Sequence, residues 1–342
     1  MEIFDASQAW GAKHITALEH PMSEFNARGG LDLGVYQSLN QHLAAEHPHL
    51  GEQDWLKIKQ QLPAFDIMHD PRTGQKIRIQ KFNWPKGGIV SDQVVTFINM
   101  SFSVPADLDN IQYENYLVAK ELGAPFVVLE NPAYGDSDKL TKAQKVALKN
   151  GDFGPIADSM LGIANTLGVR KVNFTGYSMG AETAAAMAAH ATSHGIEVEN
   201  LWVMEAPRIT THKPLKLARD FMSDANNLKF TWKHPADPVL REVGKIKPSL
   251  PKSTFSYGKA MTKGGLATDL IAALDSQPNM KLTLASAGSS KISPTAANNT
   301  VFTELRSAYP DRSIRRIIVP GESHTYGDSG QRYAHLGKLV LR

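Results

Sequence analysis

The sequence predicts an α/β fold: a mostly parallel central sheet with helices on both faces, plus an inserted helical lid. Three observations carry that prediction. Apolar runs of buried-strand length recur along the chain, helical periodicity fills most of the gaps between them, and one gap of about 75 residues breaks the rhythm.

Residues 1–62 are polar, with helix-like stretches near Leu33 to Glu46 and Glu52 to Gln61 and no strong strand signal, and read as an N-terminal helical extension. FDIMHD and KIRIQKFNW flank the turn signal Pro71, Arg72, Thr73, Gly74, which predicts an antiparallel pair. The buried-strand runs follow: VVTFINM at 94–100, PFVVLE at 125–130, KVNFTG at 171–176, NLWVMEA at 200–206, KLTLAS at 281–286 and RRIIVP at 315–320. Helical periodicity lies between them in NIQYENYLVAKELG, in IADSMLGIANTLG and in the residues after Ser178. The core therefore spans 63–206 and 279–342. Residues 207–278, rich in Lys, Pro and Ser, far exceed the length of one crossover and read as a lid over the strand ends.

Composition narrows the class. Hydrophobic residues make up 42% and charged residues 21%, as in a folded soluble protein, and the net charge of +3 gives no reason to invoke nucleic acid or an anionic membrane. The absence of cysteine excludes disulfides, thiolate nucleophiles and thiolate metal sites. MEIFDASQAWGAKH has no basic n-region ahead of an apolar stretch, and no apolar helix reaches the ~20 residues that span a bilayer. A cytoplasmic protein is expected, with a homo-oligomer left open.

The sharpest local signal is Gly176, Tyr177, Ser178, Met179, Gly180, between the apolar strand VRKVNF and the small-residue helix MGAETAAAMAAH. A G-x-S-x-G motif needs that strand, turn, helix context. The serine sits on a tight, strained turn, and a side chain two residues to either side would collide with the neighbouring strand or helix. Ser178 then projects above the sheet, and the N–H of Met179 at the helix start faces developing negative charge. The bland reading is a structural glycine-rich turn.

From about residue 64 onward the chain resembles the α/β-hydrolase family. ENPAYGDSD at 130–138 is similar to the family's D-x-P-G-x-G-x-S loop, with Glu130 and Ala133 as departures, and VPGESHTYG at 319–327 is similar to the segment carrying the catalytic histidine. The resemblance implies a nucleophile, acid, histidine order, which selects His324 among twelve histidines as the base for Ser178, with His335 in reserve. It also implies an acid after the seventh strand, but that stretch reads LASAGSSKISP, with Ser289 and Ser290 where a carboxylate is expected. Some members, including haloalkane dehalogenases, carry a glutamate after the sixth strand, where this chain has Met204, Glu205, Ala206. A carboxylate at the end of an apolar strand is costly to bury unless paired, and orienting a histidine would pair it. The competing readings are a lid-anchoring ion pair at Glu205 and Asp237 as a weaker substitute.

The family's oxyanion loop often carries His-Gly, whereas this chain has Asn99, Met100, Ser101, Phe102, so Ser101 is expected beside Met179 as the second oxyanion donor. Phe102 and Tyr177 are expected to line the substrate site, with Tyr134, Trp202 and Trp232 as further aromatic candidates or core residues. His42, Glu46, His47 and His49 fit no named zinc spacing and read as a polar helix end. No cofactor or metal is expected. The expected function is hydrolysis of a small-molecule ester or related acyl bond through an acyl-enzyme, by Ser178, His324 and Glu205. Thioesterase, carbon–carbon hydrolase and acyltransferase chemistry use the same residues, a serine nucleophile argues against dehalogenase or epoxide-hydrolase chemistry, and a degenerate binding or scaffold protein is the alternative.

Overall fold

The structure is a computed structural model that describes residues 52–102, 106–231, 252–319, 323–324, 336–337 and 340–341. The helix expected near Leu33 to Glu46, the histidines at 42, 47 and 49, Trp232, Asp237 and His335 lie outside the described residues. Helix α1 (Glu52–Lys59) falls within the second helical stretch expected from the sequence.

Eight strands form one sheet in the order β1-β2-β4-β3-β5-β6-β7-β8. β1 (Phe65–His69) and β2 (Lys76–Phe82) are the expected antiparallel pair. β2 also runs antiparallel to β4 (Phe126–Leu129), and from β4 through β3 (Val94–Asn99), β5 (Lys171–Tyr177), β6 (Glu197–Met204), β7 (Lys281–Ala287) and β8 (Ile314–Val319) every pairing is parallel. A fully buried parallel strand needs no polar face, and all four residues of β4, FVVL, are buried.

Two apolar clusters cover the sheet. In β6, Leu201 and Val203 face one and Trp202 and Met204 the other, the alternation of a pleated strand. The first cluster holds helices α3 (Lys142–Lys149), α4 (Gly154–Thr166) and α5 (Met179–His190); the second holds α2 (Asp109–Leu122) and Leu336 and Val340 near the C-terminus. Trp202 is therefore a core residue rather than a pocket wall.

Between β6 and β7 lie α6 (Pro214–Thr231), α7 (Lys252–Met261) and α8 (Leu266–Ser276). α8 packs against α5 and buries Leu266, Leu270, Ala273 and Leu274. It is the helix that a parallel crossover into β7 requires. α8 thus lies within the 207–278 stretch that the sequence assigns to the lid. A ninth described helix, α9 (Thr295–Ala308), carries the crossover to β8.

Candidate active site

The parallel strands end together at one edge of the sheet, and the turns that follow β3, β5, β6 and β7 meet there. β5 stops at Tyr177, and Ser178 caps α5 with φ 56° and ψ −121°, a backbone that an L-residue adopts only under constraint. The constraint comes from the two glycines. A Cβ on Gly176 would lie 2.1 Å from the carbonyl oxygen of Gly180, and one on Gly180 would lie 2.1 Å from that of Asn99. Only bare backbone allows the helix to start this close to β3 and β5. The N–H of Ser178 still donates to the Met204 carbonyl at 2.9 Å, so the sheet ladder holds the serine to its last atom. Met179 opens the helix, where an N–H has no carbonyl four residues back to bond.

Glu205 follows β6 in the same way, with φ 53°. Its carboxylate is wholly buried and makes three hydrogen bonds. Oε1 accepts the N–H of Ala287, while Oε2 accepts the Ser290 hydroxyl at 2.6 Å and meets Nδ1 of His324 at 2.8 Å. The imidazole's Nε2 lies 3.0 Å from Ser178 Oγ. The structure thus brings together Ser178, His324 and Glu205, all at most 4% exposed. Such burial is tolerable because each polar atom has a partner.

Ser290 gives the sequence's missing carboxylate a different meaning. Where an acid was expected after β7, a serine donates to the acid that stands after β6, and its oxygen also accepts the Ser293 N–H at 3.0 Å.

Ser101 lies in the turn beyond β3, two residues past Asn99, which pairs with Gly176 of β5. The Met100 N–H bonds the Leu129 carbonyl at 3.3 Å and the Met100 carbonyl accepts Asn131 Nδ2 at 2.6 Å. With that carbonyl held, peptide planarity turns the N–H of Ser101 to the opposite side. Asn131 belongs to the 130–138 loop, whose departures the structure explains. Glu130 takes a two-pronged bond from Arg78 at 2.8 and 2.7 Å and accepts the Ala106 N–H at 3.0 Å, tying Ala106 to β2. Ala133 stands at φ 71°, the left-handed region that a glycine would occupy without cost.

Aromatic rings surround the imidazole. Tyr177 lies 5.3 Å from it between centroids, and Phe221 of α6 meets it edge-on at 5.2 Å. Phe102 stacks on Phe221 at 6.2 Å. Phe102 and Tyr177 are thus beside the site, while Tyr134 packs against Tyr257 in the core. Sequence reading missed Phe221, since its place on a long helix outside the sheet carries no local signature.

Beneath the turn a buried ion cluster joins the two strained segments. Arg208, three residues after Glu205, donates its backbone N–H to Glu182 of α5 at 2.6 Å. Its guanidinium reaches Asp269 of α8 at 2.8 Å, Glu182 at 3.4 Å and the Gly264 carbonyl at 2.8 Å. Burial pushes the Glu182 carboxyl up to about 7, against the pull of Arg208. Among the described residues, no group of three or more His, Cys, Asp or Glu is placed to hold a metal ion, and no helix is long and apolar enough to cross a membrane.

Solved structures share this architecture at low identity. E-2-(acetamidomethylene)succinate hydrolase superposes over 81% of this chain and 98% of its own, at 15% identity and a TM-score of 0.53. The enol-lactonase from Burkholderia xenovorans LB400 does so over 79% and 98%, at 12% and 0.55, and a bromoperoxidase from Bacillus anthracis over 81% and 97%, at 13% and 0.51. At these identities the likeness establishes the fold alone. No curated protein matches the sequence. The family profile described as alpha/beta hydrolase fold matches residues 104–290, more than half of the chain and inclusive of both strained turns, and the chain belongs to that family.

Proposed function

We propose that the protein is a serine hydrolase that cleaves an ester or related acyl bond through an acyl-enzyme. The observation that carries this reading is the unbroken hydrogen-bond path from Ser178 Oγ through His324 to the buried Glu205 carboxylate. A serine hydroxyl is a poor nucleophile until a base takes its proton. In the proposed mechanism His324 Nε2 accepts that proton as Oγ attacks the acyl carbon, and Glu205 holds Nδ1–H so that Nε2 presents its lone pair. The N–H groups of Met179 and Ser101 receive the developing oxyanion. His324 returns the proton to the leaving group, and water then repeats the sequence to release the acid and free Ser178.

The rings of Phe102, Tyr177 and Phe221 favour an apolar group next to the scissile bond, and α6 with α7 acts as the lid that brings Phe221 over the imidazole. The fold neighbours carry names as different as enol-lactonase, E-2-(acetamidomethylene)succinate hydrolase and bromoperoxidase, so they do not choose a substrate.

A fluorophosphonate probe tests the reading directly. It should label the folded wild-type protein on Ser178 and leave Ser178→Ala unlabelled, and a series of p-nitrophenyl esters of increasing chain length should then rank the acyl group. A folded protein that takes no label would instead be a hydrolase-fold binding protein. Ser290→Ala should lower kcat on the best ester by about tenfold, since it removes one hydrogen bond to a buried charge while the His324 contact remains. An unchanged kcat would make Ser290 a purely structural residue.

A further inference from the structure

We propose that the outer face of the α6–α7 lid docks on an anionic lipid surface. α6 has two apolar stripes, and the described residues cover only one of them. Leu217 and Phe221 face inward, toward the site, and Asp220 is buried with them. On the other side Leu215 and Met222, seven residues apart and hence on one helical face, are 88% and 66% exposed. Phe255 of α7 is 76% exposed. These three are the most exposed large apolar side chains among the described residues, and all belong to the two helices that abut Phe102: Phe221 stacks on its ring, and a Cβ on Gly258 would touch it at 3.8 Å.

Charge identifies the occupant. Between residues 211 and 263 every described charged side chain that is exposed is cationic: Lys213, Lys216, Arg219, Lys259 and Lys263. Asp220, the one acid there whose side chain is described, is buried and paired with Lys216. The sequence of this stretch holds eleven Lys and Arg against four Asp and Glu, a net +7 within a chain whose total is only +3. A basic surface studded with exposed Leu, Met and Phe is the chemistry of an interfacial anchor, in which apolar side chains enter the headgroup boundary while Lys and Arg meet lipid phosphates. Nucleic acid would use the cations but has no partner for exposed Leu and Met side chains. Docked this way, the lid would hold the site's aromatic wall against the source of an amphiphilic acyl substrate. The docking itself does not depend on Ser178 chemistry.

Co-sedimentation of the full chain with large vesicles separates the outcomes. Wild type and Ser178→Ala should both pellet with phosphatidylcholine vesicles containing phosphatidylglycerol, far less with phosphatidylcholine alone, and less as salt rises. The apolar triple variant Leu215→Glu/Met222→Glu/Phe255→Glu and the charge reversal Lys213→Glu/Arg219→Glu/Lys259→Glu should each weaken binding by at least about tenfold. Labelling by the fluorophosphonate probe should be unchanged in both, which shows that they fold. No binding to anionic vesicles, or binding that both variants retain, would overturn the proposal. So would binding to a single-stranded oligonucleotide, without vesicle binding, that the charge reversal abolishes and the apolar variant keeps. A wild-type protein that takes no label yet binds anionic vesicles, with both variants weakened, would overturn the acyl-enzyme reading and leave the docking standing.

Discussion

Glu205→Gln should lower kcat by about ten-thousandfold while the protein stays folded. The expectation follows from which atom of the amide can sit where. The Ala287 N–H can only donate, so it selects the amide oxygen for the Oε1 position. The amide nitrogen is left at the Oε2 position, facing the Ser290 hydroxyl and Nδ1 of His324. Ser290 can reverse its bond and accept. His324 must then accept at Nδ1 as well, which places its proton on Nε2, opposite Ser178 Oγ, where a free lone pair is needed. The variant keeps the shape of the site and holds the base in the wrong tautomer. Turnover of a p-nitrophenyl ester, with circular dichroism as the check on folding, decides the matter. A loss smaller than about tenfold would remove Glu205 from the proton path, because general-base assistance lost outright costs far more.

The parts of this arrangement that sequence reveals are those whose constraint is local. Gly176 and Gly180 flag the turn because their missing side chains reflect contacts within a few residues or with the adjacent strand. His324 was legible through the resemblance, which implies a histidine after the final strand. Glu205 could be read because the family resemblance implies, in some members, a glutamate after the sixth strand, and an acid closing an apolar strand needs a partner. What stayed hidden depends on which distant turns meet. Ser290 read as the absence of an acid, and only the fold shows it bonded to the acid 85 positions earlier. Phe221 and Arg208 lie in the excursion after β6, where helical pattern and charge give no direction toward the sheet. The packing of α8 stayed hidden for the same reason: it has the periodicity of any amphipathic helix, and its contact with α5 is a tertiary fact.

The folded state should lose stability between about pH 4.5 and pH 7 through Glu182, and Glu182→Gln should abolish that loss. One cation, Arg208, serves two carboxylates, Glu182 and Asp269, in a space closed by Phe153, whose ring lies 5.2 Å from the guanidinium. With both acids ionised the cluster carries a net negative charge; with Glu182 protonated it is neutral. Burial therefore favours the protonated form and raises the carboxyl from 4.5 to about 7. The sign follows from linkage. A carboxyl raised in the folded state binds its proton more tightly there than in the unfolded chain, so its stabilisation is complete below 4.5 and is lost as pH rises through 7. The loss is on the order of 3 kcal/mol at pH 8, since each tenfold gain in proton affinity on folding corresponds to about 1.4 kcal/mol. Glutamine keeps an oxygen for the Arg208 N–H and cannot ionise. Urea unfolding of both proteins at pH 4.5 and pH 8 should therefore show the variant gaining on wild type by roughly that amount as pH rises. A difference between the two proteins that stays constant across the range would mean that Glu182 keeps its charge in the fold, with Arg208 neutralising it fully.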